Sequence, residues 1–441
     1  MNALRYHARR PAGKIQIAPS KPCETAEDLA LAYTPGVAQP CLAIHRHPKA
    51  AYRYTNKGNL VAIVSNGTAV LGLGNLGPLA AKPVMEGKAL LFKRLADIDA
   101  FDLEIDAAHP EELVRIVQAL APTFGGINLE DIKAPECFCV EERLRAELSI
   151  PVFHDDQHGT AIIVGAALLN GLEILDKSLL DVRIVISGAG AAGIACADMA
   201  CALGLTREQL VLVDSNGVVH TERQDLNPYK RRFAALTSLR TLSDALRGAD
   251  VFIGVSSPGI VSADMLQSMA DRPLVFALSN PEPEVAFELA SHIRRDAIYA
   301  SGRSDHPNQV NNVLAFPAVF RGALDVRATK IDWDMKLAAS RALAALARES
   351  PEFSAHYIIP RPLAPSVLPR VASAVAAAAV GSGAARRPVT DLTAYASAVA
   401  GRIRDARRPV PQAESPPRLF QGPDQSDAYW AMGESTWDTH R

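Results

Sequence analysis

One stretch restricts the fold more than any other. Residues 182–205, VRIVISGAGAAGIACADMACALGL, run from an apolar strand-like segment through Gly188, Gly190 and Gly193, set in a G-x-G-x-x-G frame, into a helical pattern without proline. That frame between strand and helix lets a pyrophosphate meet the main chain at a helix N-terminus. A dinucleotide site also needs an acidic residue about 20 residues on, closing the next strand and facing the ribose hydroxyls. LVLVDSNG at 210–217 provides Asp214 there. Both features together predict a doubly wound, Rossmann-type dinucleotide-binding domain.

The surrounding pattern agrees. VRIVIS, LVLVD, ADVFIGV and PLVFALS are near-continuous apolar runs alternating with helical segments, as in a parallel sheet covered on both faces. We expect the Rossmann-type domain to span 155–311. At 441 residues the chain exceeds one typical core. Residues 1–154 are expected to form a second, α/β domain, completed by helices from about 312–400. Residues 405–441 are rich in Pro, Ser, Gln and charge and read as a disordered tail.

Composition narrows the partners. A net charge of −2 and the lack of a dense basic stripe argue against nucleic acid, and YKRRF at 229–233 reads as a solvated face. The most apolar run, at 371–385, is too short and alanine-rich to cross a membrane. The first residues lack the apolar core of a signal peptide. The six cysteines form no C-x-x-C pair. They fit buried thiols in a reducing compartment, so a cytoplasmic location is expected.

A second glycine frame occurs in VLGLGNLG at 70–77. Pro78 and Pro83 stand where its helix should run, so no dinucleotide-type helix is expected after it. The frame reads as a tight turn or as an active-site loop that a ligand approaches. Two acidic pairs, Glu130–Asp131 and Asp155–Asp156, each follow an apolar run, where strand ends place functional groups. If they converge, a hard cation such as Mg²⁺ or Mn²⁺ would neutralise them. If they do not, each is a solvated turn or helix cap. Lys88 and Tyr33 sit among apolar neighbours. A buried lysine serves as a base and a tyrosine as an acid, though each alone also reads as structural.

Taken together, LAYTPGVAQPC, SNGTAVLGLGNLG, KPVMEGKALLFK, GGINLEDIKAPECF, IPVFHDDQHGTA, SGAGAAGIA, LSNPEPE and SGRSDHPNQVNNVLAFP resemble the malic enzymes, in unbroken order over roughly residues 10–400. The resemblance is to the bacterial, NADP-dependent type. It implies oxidative decarboxylation of (S)-malate to pyruvate and CO₂ with reduction of NADP or NAD. It also implies Tyr33 as general acid, Lys88 as general base, and Asp155 as support for the lysine. Glu130, Asp131 and Asp156 match metal ligands, and Asn280 and Asn312 match substrate-binding positions. Asn280 also belongs to the coenzyme site with Gly188, Gly190, Gly193 and Asp214.

The sequence departs from the family in places. Ala69 stands where eukaryotic members carry an arginine that contacts malate, so N–H groups of residues 67–77 are expected to help bind the substrate. A C-terminal domain resembling phosphate acetyltransferases, frequent in the bacterial type, is not expected here. Asp214 favours NAD by repelling a 2′-phosphate, and Asn216 replaces a lysine that would offset it; the family favours NADP, and we expect NADP with dual use. The resemblance further implies a dimer or higher homo-oligomer. A metal-dependent oxaloacetate decarboxylase and a non-catalytic coenzyme-binding regulator are the alternatives.

Overall fold

The computed structural model describes residues 3–9 and 12–406, the last four as backbone only. The Pro-rich segment expected to be disordered lies outside the described residues beyond 406. Two units separate: Met1–Lys14 with Pro409–Arg441, whose described part includes the helix Ala3–Ala8, and Ile15–Arg408. The second unit carries both sheets. No helix among the described residues is long and apolar enough to cross a membrane.

The first sheet has the order β2-β1-β3-β4, with β1 Leu60–Ser65, β2 Asp99–Glu104, β3 Gly126–Leu129 and β4 Val152–His154, all parallel. Every residue of β1, β3 and β4 is buried. The chain leaves β1 toward β2 and returns on the other side as β3. The carboxyl ends of β1 and β3 therefore border a topological switch point, where open α/β sheets open a crevice.

The second sheet has the order β10-β9-β8-β5-β6-β7. Its strands are β5 Ile184–Ser187, β6 Leu210–Asp214, β7 Gly217–Val218, β8 Val251–Gly254, β9 Leu274–Ala277 and β10 Ile298–Ser301. Only the β6–β7 pair is antiparallel. Its switch point falls between β5 and β8. This is the doubly wound α/β fold that the glycine frame predicts. The helices Phe316–Asp325 and Trp333–Arg348 follow the sheet. Phe316 and Phe320 pack edge-on against Phe92, at 4.8 and 5.3 Å between ring centroids, which ties the first of these helices back to the first sheet.

The structure corrects the expectation for the second glycine frame. A helix does follow it, Pro78–Ala96. Pro78 occupies the first helical position, where a missing N–H costs nothing, and Pro83 lies only five residues further, near the solvent-facing start where Leu79 is 84% exposed. What separates the two frames is distance from the strand. Gly188 directly follows β5, whereas β1 ends at Ser65 and residues 66–77 form a long loop.

Candidate active site

Helix Pro78–Ala96 buries a stripe of Ala81, Met85, Lys88, Ala89, Phe92 and Ala96. Lys88 is thus the charged member of an apolar face. Its Nζ reaches Glu130 Oε1 at 2.8 Å and also donates to Asp155 Oδ2. It lies over the Phe316 ring, 4.2 Å from the centroid. Glu130 directly follows β3, and Asp155 opens the helix Asp155–Ile174 directly after β4. Neighbouring parallel strands therefore deliver both carboxylates to one lysine.

Asp131 adopts a left-handed backbone, φ 53°, that turns its side chain back into the cluster. Its main-chain N–H donates to Asp156 Oδ2 at 2.8 Å, and its carbonyl accepts from Ala69 N at 2.9 Å. Oxygens of Glu130, Asp131 and Asp156 lie within 4.8 Å of one another. Asp131 Oδ2 and Asp155 Oδ1 are buried with no hydrogen-bond partner among the described residues. Three close carboxylates with an orphaned oxygen match the hard-oxygen donor set of a divalent cation. The two acidic pairs converge, so the solvated-turn reading fails.

Electrostatics follow from this crowding. Burial and the adjacent Asp156 push Asp131 up to about 7. Burial raises Glu130 and Asp155 as well, against the pull of Lys88. Burial alone would depress the Lys88 ammonium, but the charges of Asp155 and Glu130 override it and hold the proton above the ordinary lysine range. The sequence-based requirement of a lowered lysine is thus not met by these side chains alone, because carboxylates surround the amine.

Asn312 donates to Asp155 Oδ2 at 3.2 Å and accepts from Thr160 Oγ1 at 3.1 Å, so it joins the lysine cluster. Asn280 follows β9 and is exposed on the second sheet's carboxyl edge. It abuts the loop of the second glycine frame: a Cβ on Gly72 would fall 1.9 Å from the Asn280 carbonyl oxygen. Tyr33 is not brought to the cluster. It is 69% exposed, it follows the helix Ala26–Ala32, which has no buried residue, and no hydrogen bond joins it to Lys88 or the carboxylates.

Gly188 and Gly190 turn between β5 and the helix Ala191–Leu203, and Gly193 in that helix's first turn packs on Gly188 so closely that a Cβ would fall 1.7 Å from its carbonyl oxygen. Asp214 ends β6 but is not a free carboxylate. Arg223 donates to it at 2.8 and 3.1 Å, Lys230 at 2.6 Å and Asn216 N at 2.9 Å. Burial would raise it, but these hydrogen bonds win and hold it below the usual carboxylate range. Its repulsion of a 2′-phosphate is correspondingly offset.

Sequence reasoning missed Asn128, Arg223 and Lys230. Asn128, fully buried on β3, donates to Glu130 Oε2 at 2.9 Å, so both oxygens of Glu130 are held. Its signal was an amide inside an apolar strand. Lys230 lies in the basic run read as a solvated face, and only the fold brings it to Asp214.

Comparison with known proteins identifies the family. The sequence model of the malic enzyme N-terminal domain matches residues 12–109 and 106–145, and that of the malic enzyme NAD-binding domain matches 157–380. The NADP-dependent malic enzyme of Halomonas elongata is 56% identical over 399 residues, covering 88% of this chain and 94% of that protein. The NADP-dependent malic enzyme of Escherichia coli K12 is 53% identical over 409 residues, but the chain spans only 54% of that relative's length. The crystal structure of malic enzyme from Pyrococcus horikoshii aligns with a TM-score of 0.86 at 44% identity, covering 91% of this chain and 95% of that one. With both domain models matched in order and a relative covered nearly end to end, the chain belongs to the malic enzyme family.

Proposed function

We propose that the protein oxidises (S)-malate with NADP or NAD and releases pyruvate and CO₂. The observation that carries this reading is one buried lysine held by Glu130 and Asp155 beside a three-carboxylate cluster. Glu130, Asp131 and Asp156 would hold a divalent cation, Mg²⁺ or Mn²⁺, which would supply Lewis-acid stabilisation of developing negative charge. Gly188, Gly190 and Gly193 would hold the pyrophosphate of a nicotinamide coenzyme, which would supply the hydride acceptor.

The chain's own residues then handle protons and position. Lys88 Nζ accepts the proton of the malate C2 hydroxyl, while Asp155 and Asn312 keep the amine in place. Neutralising Glu130 and Asp131 lowers the lysine toward the free amine this step needs. As CO₂ leaves, the Lys88 ammonium returns its proton to the C2 oxygen to give the enol; the Tyr33 hydroxyl then protonates C3 while Lys88 takes the enol proton back, and proton transfer from Lys88 to the tyrosinate restores both groups. Asn280 and Asn312 orient the substrate, and N–H groups of residues 67–77 help hold its carboxylates. Lys88→Ala is expected to lower malate-dependent coenzyme reduction by about 100- to 10,000-fold.

Two finer assignments accompany this. Lys230 and Arg223, paired with Asp214, offset its negative charge at the ribose end, so we assign NADP as the preferred coenzyme. Tyr33 is far too exposed to act in its own chain as it stands, and the helices Ala26–Ala32 and Ala38–Arg46 bury no residue. We assign this N-terminal segment to the surface of a second copy, so that Tyr33 completes the partner's site in a homodimer or higher assembly. All six cysteines are free, in keeping with a cytoplasmic setting.

A further inference from the structure

We propose that Glu284 is a positioning residue for hydride transfer: its buried carboxylate locks the loops after β8 and β9, and with them Asn280, into the arrangement the reaction needs. The proposal rests on the malate-oxidising reading above.

Glu284 is 0% exposed. A carboxylate is buried so fully only when hydrogen bonds replace its water. Here Oε1 accepts from Ser256 N at 2.8 Å and from Ser256 Oγ at 3.4 Å, and Oε2 accepts from Ser279 N at 3.0 Å. Ser256 lies two residues beyond β8 and Ser279 two residues beyond β9. One side chain therefore bridges two adjacent strand ends on the carboxyl edge of the sheet. Charge-assisted bonds from backbone N–H groups are the stronger kind.

The bridge extends to both neighbours. Ser256 Oγ meets Ser187 Oγ at 3.0 Å, and Ser187 immediately precedes the coenzyme glycines. The loops after β5, β8 and β9 thus form one bonded set across the topological switch point, with the carboxylate at its centre. On the other side, Ser279 is bonded in sequence to Asn280, whose carbonyl abuts Gly72 of the substrate-side loop. A shift of Ser279 moves Asn280 against that loop. Gly254 leaves the space the carboxylate occupies, since a Cβ there would lie 2.5 Å from Glu284 Cδ.

Two substitutions perturb this centre differently. Glu284→Gln keeps the shape but turns an amide N–H toward one of the two backbone donors. Gly254→Ala leaves the carboxylate intact and displaces it. Both are made in the full chain and compared with the parent protein for kcat, malate KM, coenzyme affinity by fluorescence titration, melting temperature, and the deuterium isotope effect with malate labelled at C2. A misplacement of about 1 Å in a reacting geometry costs on the order of 100-fold in rate. The expected result is therefore a kcat reduced by about that factor in both variants, an isotope effect raised toward its intrinsic value, and malate KM and coenzyme affinity changed much less. A variant with a lower melting temperature but the parent's kcat and isotope effect would show a purely structural role and overturn the proposal. If Glu284→Gln does not fold, Gly254→Ala decides by the same readings. A parent protein with no malate-dependent coenzyme reduction overturns the activity reading, and this proposal with it.

Discussion

Lys88 Nζ donates to Glu130 Oε1 at 2.8 Å, so the amine and one of three clustered carboxylates share a single buried hydrogen bond. The proposed base and the proposed cation site are therefore in contact, so a change at either is expected to alter the other. Lys88→Ala is expected to lower kcat by about 100- to 10,000-fold, the usual contribution of a positioned base. Initial rates of coenzyme reduction with saturating malate check this; a variant within a few-fold of the parent would remove Lys88 from the chemistry.

Asn128 holds the Glu130 oxygen that the lysine does not, Oε2. Asn128→Ala is expected to weaken Mn²⁺ binding by about 10- to 100-fold, as for other residues that orient metal ligands. Titration of the protein with Mn²⁺, followed by the loss of free-ion electron paramagnetic resonance signal, reads this directly. Unchanged affinity would mean that Glu130 needs no such support.

Lys230 Nζ sits 2.6 Å from Asp214 Oδ2 at the end of β6. Lys230→Ala should raise KM for NADP by about tenfold, the loss of one charge-assisted hydrogen bond, and leave KM for NAD nearly unchanged. Equal effects on both coenzymes would assign the lysine to holding Asp214 alone.

Much of this arrangement was legible in the chain, and the reasons are local. The glycine frame at 188–193 and Asp214 are close in sequence to the strands that present them, so strand–turn–helix grammar sufficed. Glu130 and Asp155 were visible because each directly follows an apolar strand. What escaped was long-range or compensated by context. Lys230 reaches Asp214 only through the fold, and the proline pair after residue 77 looked like a helix breaker until Pro78 proved to be the helix's first residue. The state of Lys88 was misjudged because its carboxylate neighbours come from two other strands.

Tyr33 is exposed whereas Lys88 is buried. If a second copy supplies the tyrosine, two inactive proteins, Tyr33→Phe and Lys88→Ala, should regain activity when mixed and allowed to exchange subunits. In a dimer whose tyrosine acts across the interface, random exchange yields about a quarter of parent activity, since half the dimers carry one intact site. No recovery, with exchange demonstrated by labelled subunits, would place the tyrosine in its own chain's site.

Lys336 is 1% exposed, and its Nζ has no hydrogen-bond partner among the described residues, although it lies 4.8 Å from the Trp333 ring centroid. Burial pushes its ammonium down to about 7, against the attraction of Glu141. The folded group therefore binds fewer protons than the unfolded one between about pH 7 and the ordinary lysine value. Stability from this group is fully present above that ordinary value and falls as pH drops toward 7. Between pH 7 and 9 the difference amounts to about 2 kcal/mol. Lys336→Met should be more stable at pH 7 and show a flatter rise in melting temperature from pH 7 to 9. An unchanged slope would contradict a neutral buried amine.

The central claim is that this chain couples malate oxidation to loss of CO₂ at one lysine-centred site. The direct measurement is the purified protein with (S)-malate and Mn²⁺, tested with NADP and NAD separately, following reduced coenzyme and pyruvate together. The account predicts equal amounts of the two products, faster with NADP, and neither from Lys88→Ala. Pyruvate formed from oxaloacetate but no coenzyme reduced with malate, or full activity in Lys88→Ala, would contradict it.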